Sequence, residues 1–231
     1  MTDAAPVELR VLSYNVRSLR DGRLAVADVI RSCAPDVVCV QEAPRLARWR
    51  SKAAALARES ATVVVTGGRT AGAMLVLCRL GVDVRWREDL RLSRTPGLHQ
   101  RGLALAGLRL AGRDLVVASF HLGLRPGERL RHVDEIAGRL RTVDAPVVLG
   151  GDVNEQPGQP SWLALCERWR DAYAAAPAGE GNTYSARHPH KRIDGIFADP
   201  AIEVVSCGVP DAPGAGLASD HRPVLAVLRL P

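Results

Sequence analysis

The sequence predicts an α/β protein of two packed sheets with helices outside them, on three observations. Short apolar runs with strand character are numerous, and several are joined as hairpins. Helical patterns are too few to follow every strand, as a strictly alternating parallel sheet requires. No repeat, low-complexity tract or linker divides the chain, and 231 residues, 47% of them hydrophobic, suffice for one sizeable core. A single domain over 1–231 is expected.

Val7–Tyr14 alternates as a strand does. Arg23–Cys33 is helical and stops before Pro35, which disfavours helix in the residue preceding it. Asp36–Val40 is a short buried strand, and the Ala- and Arg-rich Arg45–Arg58 is a helix. Thr62–Thr66, Ala73–Leu77 and Val82–Arg91 are strands, with Gly67-Gly68 as the turn between the first two. Leu103–Leu110 and Asp114–Phe120 flank Ala111-Gly112-Arg113, a hairpin turn. Glu128–Arg141 is a helix, Pro146–Leu149 a strand, and Ser161–Trp169 a helix that Ser161 caps. Arg192–Ala198, Glu203–Cys207 and Val224–Leu228 close the chain as strands.

Composition narrows the function classes. No apolar run approaches the ~18 residues of a membrane span. Met1–Pro6 includes Asp3 and lacks the charged-then-apolar pattern of a signal peptide. The five cysteines, Cys33, Cys39, Cys78, Cys166 and Cys207, are odd in number and show no C-x-x-C spacing. Reduced, mostly buried thiols in a cytoplasmic protein are therefore expected. A net charge of +6 favours anionic partners. Nearly all of the positive charge is arginine, whose planar fork suits bidentate phosphate contacts; only Lys52 and Lys191 are lysines.

Polar residues recur where strands end. Asn15 follows Leu9–Tyr14, Glu42 follows Val37–Val40, and His121 follows Leu115–Phe120. Asp152 and Asn154 follow Val147–Leu149, Asp194 lies within Arg192–Phe197, and Asp220 and His221 precede the last strand. Such a pattern gathers carboxylates, carboxamides and imidazoles at one edge of a sheet framework, where rigid strands hand residues to loops.

The ordered segments Ser13-Tyr14-Asn15-Val16, Gln41-Glu42, Ser119-Phe120-His121-Leu122, Gly151-Asp152-Val153-Asn154, Arg192-Ile193-Asp194-Gly195-Ile196 and Ser219-Asp220-His221 resemble the successive motifs of the endonuclease/exonuclease/phosphatase superfamily. Each string is weak alone, but independent turns have no reason to reproduce an ordered set. The resemblance implies a four-layer αββα sandwich, with two central mixed or antiparallel sheets and helices on the outer faces. It also implies divalent-metal-dependent hydrolysis of phosphate esters, with Mg2+ as the usual ion and Mn2+ as a substitute. Glu42 is then the leading metal ligand, with Asn15 and Asp220 beside it, since magnesium takes oxygen donors and one or two carboxylates hold it. Asp152 orients or deprotonates the attacking water, and Asn154 holds phosphate or nucleophile. Asp194 orients His221 and favours its charged form. The roles of base and transition-state stabiliser remain open between Asp152 and His221. His121 donates to a phosphoryl oxygen, and Arg101 adds a phosphate contact.

Two departures stand out. The mid-chain tyrosine by which several relatives touch phosphate has no counterpart, since the tyrosines are Tyr14, Tyr173 and Tyr184; Arg101 or Arg17 are the candidates to replace it. Long DNA-gripping insertions are also missing. Other features read blandly. His188-Pro189-His190 fits no common zinc spacing and is expected in a loop, Thr183–Lys191, that borders the cleft. The arginines of Arg45–Arg58 are expected on a solvated helix face. Arg85, Arg87, Arg91 and Arg94 form either a phosphate-facing stripe or an exposed sheet face, and Trp49, Trp86, Trp162 and Trp169 are packing residues. The expected substrate is a phosphodiester, with DNA or RNA foremost. Inositol phosphates, nucleotides and phospholipid head groups are alternatives, as is an inactive binding module of the same fold. No protein partner is implied.

Overall fold

The computed structural model describes residues 6–231, so Met1 to Asp3 and the two alanines after them lie outside the described residues. The chain forms β1 (Val7–Asn15), α1 (Arg23–Ser32), β2 (Val37–Gln41), α2 (Trp49–Glu59), β3 (Val63–Gly68), β4 (Met74–Cys78), β5 (Asp83–Arg91), β6 (Gly102–Leu110) and β7 (Arg113–His121). It continues with α3 (Pro126–Leu140), β8 (Val147–Asp152), α4 (Pro160–Cys166), β9 (Arg170–Asp171), α5 (Ala172–Ala175), β10 (Asp194–Ala198), β11 (Glu203–Gly208), α6 (Ala215–Ala218) and β12 (Val224–Leu230).

Two six-stranded sheets result, in the orders β11-β12-β1-β2-β4-β3 and β5-β6-β7-β8-β10-β9. Each is antiparallel except for one central parallel pair, β1 with β2 and β7 with β8. A parallel pair needs a crossover, and α1 and α3 supply the two.

Strand periodicity of two explains the layering. From β1 and β2, Leu9, Val11, Val37 and Cys39 face Leu108, Val117, Val148 and Ile196 of the other sheet. The alternate residues Leu12, Tyr14, Val38 and Val40 turn outward and are covered by Val26 and Ile30 of α1 and Leu56 of α2. On the far side, Phe120, Leu149 and Phe197 lie under Val133 and Ile136 of α3 and Trp162 and Leu165 of α4. Three apolar layers between four structural ones make the expected αββα sandwich. Each large side chain so buried contributes roughly 1.5–3 kcal/mol relative to exposure. No described helix is long and apolar enough to cross a membrane.

Several expected boundaries move. Gly67-Gly68 is not a turn but the end of β3, paired with Leu75 and Met74. A Cβ at Gly67 would stand 2.2 Å from the Met74 carbonyl, and one at Gly68 2.2 Å from the Trp49 ring. These glycines serve close approach, and the reversal falls at Arg69–Ala71. The helix expected from Arg45 starts at Trp49, because Arg48 is left-handed (φ 58) and the Trp49 N–H closes a turn onto the Leu46 carbonyl at 3.1 Å. Nor does Ser161 cap α4: it lies inside the first turn with its hydroxyl unpartnered, and Glu155 Oε2 takes its N–H at 2.7 Å. The sequence reading omitted β9, α5 and α6, each of four residues or fewer. Four cysteines are buried and Cys166 is exposed; all five are free thiols. Trp162 and Trp169 are core residues, whereas Trp86 lies over Gly107.

Candidate active site

Sheet register assembles the site. In the second sheet His121 at the end of β7 pairs with Asp152 at the end of β8, and Asp152 pairs in turn with Asp194 at the start of β10. Directly opposed residues on neighbouring strands have Cβ atoms ~4.5–5.5 Å apart, so three ionisable groups share one row. In the first sheet Asn15 pairs with Gln41, and Glu42 follows at once. All lie at the same end of the space between the sheets.

Beneath this row the interlayer turns polar. Gln41 Nε2 donates to the carbonyls of Cys39 (3.1 Å) and Gly150 (3.2 Å) and to Ser119 Oγ (3.3 Å). Ser119 Oγ donates to the Val40 carbonyl at 2.9 Å. These bonds tie the two sheets together directly under the site. A Cβ at Gly150 would sit 2.8 Å from Cys39 Cβ, so only glycine lets the sheets approach this closely.

Asp152 is 1% exposed and carries the densest network. Its Oδ2 accepts from Asn15 Nδ2 at 3.0 Å, and its Oδ1 accepts from the Asn154 N–H at 2.9 Å. Asn15 is fixed from its other end, where Oδ1 accepts the Arg17 N–H at 3.1 Å. Burial raises the Asp152 pKa and the charge of Asp194 adds to the rise, against the pull of His221, the Asn154 N–H and the Asn15 amide. Asn154 and Glu42 both have left-handed backbones (φ 55 and 52), a conformation that costs energy away from glycine and clusters at functional sites.

His121 is held at both ring nitrogens. Arg101 Nη1 lies 3.1 Å from Nδ1, and a guanidinium can only donate, so Nδ1 accepts and Nε2 carries the proton. Nε2 then points at Asp152 Oδ2, 3.2 Å away. The Asn154 amide nitrogen, which donates to the Leu122 carbonyl at 3.0 Å, also lies 2.8 Å from Nε2. Burial, with the charge of Arg101, pushes the His121 pKa well below its usual value, so this histidine is neutral. The expected donation to a phosphoryl oxygen is therefore not the geometry found, because neither ring nitrogen is free. Arg101 is itself buried, which lowers its pKa against the attraction of Asp152 and Glu42.

His221 Nδ1 lies 2.8 Å from Asp194 Oδ2, and its Nε2 lies 3.8 Å from Asp152 Oδ2. Burial alone would push this imidazole down, but the charge and hydrogen bond of Asp194, with Asp152 and Asp220, overcome it and raise the pKa to about 10. Asp194 Oδ1 has no partner, so its charge is directed at His221.

Two donor sets could hold a metal. Asp152, Asp194 and His221 offer atoms within 4.8 Å of one another. Histidine binds metal as the neutral imidazole, however, and here Asp194 occupies Nδ1 and favours the cation. The second set is the one the sequence suggested. Glu42 has no hydrogen-bond or ion-pair partner for its carboxylate among the described residues and lines the cleft beside Asp220. Asp220 is only partly engaged, by Arg17 Nε at 3.4 Å and Ser219 Oγ at 3.4 Å. Asn15 is less available, since its oxygen and its nitrogen both have partners. An unpaired carboxylate with a second one near it is an all-oxygen donor set that suits magnesium better than it suits zinc.

A cavity of about 580 Å³ brings together Glu42, Arg101, His121, Asp152, Asn154, Asp220 and His221, while Asn15 and Asp194 stand behind Asp152 and His221. Sequence reasoning missed Tyr184, whose ring centroid lies 5.0 Å from that of His221 on the cavity wall. It arrives from the Thr183–Lys191 loop, not from mid-chain. Lys191, from the loop expected at the cleft, also lines the cavity, as do His99 and Glu155, which no local motif marks. Arg17 is half-buried and paired with Asp21 and Asp220. His188 and His190 are exposed, with His190 Nδ1 on the His188 carbonyl.

A two-sheet α/β sandwich with carboxylates, imidazoles and carboxamides at one end of its interlayer defines a class of phosphoester hydrolases. The chain belongs to the Endonuclease/Exonuclease/phosphatase family, whose model matches residues 12–221. Members of that family are phosphoesterases, and divalent-metal dependence is general among them. Among solved structures, an endonuclease/exonuclease/phosphatase family protein from Bacteroides thetaiotaomicron superposes with a TM-score of 0.83 at 20% identity, covering 98% of this chain and 99% of that one. The mannosyl-6-phosphatase of the same organism gives 0.79 at 19% identity, covering 95% and 99%. D. rerio TDP2 complexed with single-strand DNA product gives 0.72 at 17% identity, covering 96% and 98%. At these identities the likeness speaks for the fold. No curated protein matches the sequence.

Proposed function

We propose that this protein is a magnesium-dependent phosphodiesterase that hydrolyses P–O bonds in the cleft between Glu42 and His221. The observation that carries the reading is the opposition of two charges across one cavity: an unpaired carboxylate, Glu42, and an imidazolium, His221, held by Asp194 at 2.8 Å. Asp152 lies within 4 Å of His221 Nε2.

Phosphate diesters are anionic and repel hydroxide, so a catalyst must neutralise charge and position water. Glu42 and Asp220 would hold magnesium, which when bound supplies Lewis-acid polarisation of a phosphoryl oxygen. Asp152 orients the attacking water and accepts its proton, a role helped by the raised pKa that burial and Asp194 give it. His221 presents Nε2–H to the phosphoryl oxygen that gains charge, and Asp194 keeps that imidazole protonated and aimed. Asn15 and His121 act on Asp152 as positioning residues, through contacts of 3.0 and 3.2 Å. Asn154 lines the cavity, where its amide oxygen would hold the nucleophile, and Arg101 adds charge from behind His121.

Nucleic acid is the leading substrate class, and the net charge of +6 favours it over neutral partners. Nicking of supercoiled plasmid is the test, with magnesium and with chelator, comparing wild type and His221→Ala. Magnesium-dependent nicking that the variant loses supports a nuclease. Its absence, alongside hydrolysis of inositol phosphates, nucleotides or lipid head groups, rejects the nuclease reading and keeps the hydrolase. A nucleic-acid substrate also shows a steep loss of affinity as salt rises, because binding releases counterions.

A further inference from the structure

Beside the catalytic cavity lies a larger one, of about 640 Å³, that the proposed chemistry does not use. Six arginines line it: Arg45, Arg48, Arg50, Arg69, Arg91 and Arg94. They come from three segments remote in sequence, namely the turn into α2 with its first residues, the reversal after β3, and the end of β5 with the loop beyond it. No acidic residue lines this cavity, and none of the six has a carboxylate within 4.0 Å among the described residues. Elsewhere the half-exposed Arg109 pairs with Asp114 and Arg229 with Glu203. Like charges crowded without counter-charge repel one another, so their congregation in a concave surface points to an anion that completes it.

The cavity is continuous with the site. Arg45 and Gly72 line both it and an intermediate cavity of about 250 Å³ that contains Glu42, His99, Arg101 and Asp220. Those four residues also line the catalytic cavity. Gly72 keeps the passage close to the backbone, since a Cβ there would stand 2.6 Å from the Arg101 carbonyl carbon. A trough therefore runs from His221 past Glu42 to the arginines.

We infer that the arginine cavity is a subsite for a second, non-scissile phosphate, so that the substrate is a multiply phosphorylated molecule spanning the trough. The inference rests on the phosphoesterase reading of the catalytic end. Guanidinium forks bind phosphate oxygens bidentately, and several around one cavity suit adjacent phosphates. Base stacking is not the mode of recognition: the one aromatic in the cavity, Trp49, is already engaged, with Arg50 4.2 Å from its ring centroid and Gly68 against its ring. Recognition by charge alone is common to a phosphodiester chain and to a small polyphosphate, and the experiment separates these sources.

The test is calorimetric binding of hexathymidylate, tripolyphosphate and inorganic phosphate to wild type and to Arg69→Ala/Arg91→Ala/Arg94→Ala. The three residues are exposed, so the variant keeps its core. The expected result is at least a tenfold greater loss of affinity for one or both polyanions than for inorganic phosphate. If hexathymidylate suffers more, the source is a phosphodiester chain, and its log–log salt slope becomes shallower by about 2. If tripolyphosphate suffers more, the source is a compact polyphosphate. The lysine triple variant should recover part of the affinity, because charge persists while the fork is lost. Equal losses for all three ligands, or none, overturn the inference. Turnover measured alongside separates the two claims. Polyanion binding that depends on the arginines in a protein that hydrolyses no phosphoester overturns the catalytic reading. Hydrolysis with arginine-independent polyanion binding overturns this one.

Discussion

Replacing Asp194 by asparagine keeps the size of the side chain and removes its charge from the Nδ1 side of His221. The two groups are 2% and 6% exposed and 2.8 Å apart. Unit charges at ~4 Å interact by about 4 kcal/mol at an effective dielectric near 20. The closer spacing here increases that figure, and the relief of repulsion between Asp194 and Asp152, a cause of the raised Asp152 pKa, reduces it. A net loss of about 2–4 kcal/mol of transition-state stabilisation corresponds to a fall in kcat of roughly 30- to 1000-fold. Removing one member of a buried ion pair should at the same time lower the melting temperature, because the stability carried by the raised His221 pKa is lost. The assay is kcat on bis(p-nitrophenyl) phosphate with magnesium, beside thermal unfolding of the same preparations. A folded variant that turns over within twofold of wild type refutes the proposed part played by Asp194 and His221.

Two further perturbations probe the frame around the site. Glu155 is 5% exposed and holds Arg129 at 2.9 Å, so Glu155→Ala leaves a buried guanidinium unpaired and should destabilise the fold by about 3–5 kcal/mol in urea unfolding. Burial raises the Glu155 pKa, but the hydrogen bonds from Arg129 and Ser161 outweigh it and leave it lowered. A lowered carboxylate pKa stabilises above the unfolded value of roughly 4.3 and ceases to do so as pH falls through the folded one; the gap between wild type and Glu155→Gln should therefore close on acidification below that value. Gly150→Ala forces a methyl group to 2.8 Å from Cys39 Cβ and should cost about 1–3 kcal/mol, with a loss of kcat because Asp152 lies two residues further on the same face. Wild-type unfolding midpoints in that variant would show that the sheets can part without strain.

The architecture was legible because both sheets bury both faces of their central strands, and strand periodicity survives in β1, β2, β7 and β8. The residues at the ends of those strands were legible for the same reason: strand ends are where the register row of His121, Asp152 and Asp194 must fall. Glycine misled at Gly67-Gly68, where a dipeptide that signals a turn instead accommodates Met74 and Trp49. The start of α2 was placed early because Ala- and Arg-rich sequence has helical propensity throughout, and nothing local marks Arg48 as left-handed. Arg45 and Arg48 are exposed as expected, but they precede the helix and share a cavity with Arg69, Arg91 and Arg94, which the early helix start hid. The expected stripe of arginines divides accordingly: Arg91 and Arg94 line that cavity, while Arg85 and Arg87 border two others. The Thr183–Lys191 loop borders the cleft as expected, but Tyr184 itself was not singled out, since the pairing of its backbone with Lys191 and His221 is long-range.

The central claim is that Glu42 holds the metal while His221 acts across the cleft on the phosphate. Hydrolysis of bis(p-nitrophenyl) phosphate as a function of magnesium, for wild type, Glu42→Gln and His221→Ala, tests it most directly. The account predicts no hydrolysis in chelator, at least a tenfold higher magnesium requirement for Glu42→Gln, and a low rate for His221→Ala that no magnesium concentration restores. A magnesium dependence identical in wild type and Glu42→Gln, or a wild-type rate in His221→Ala, contradicts it.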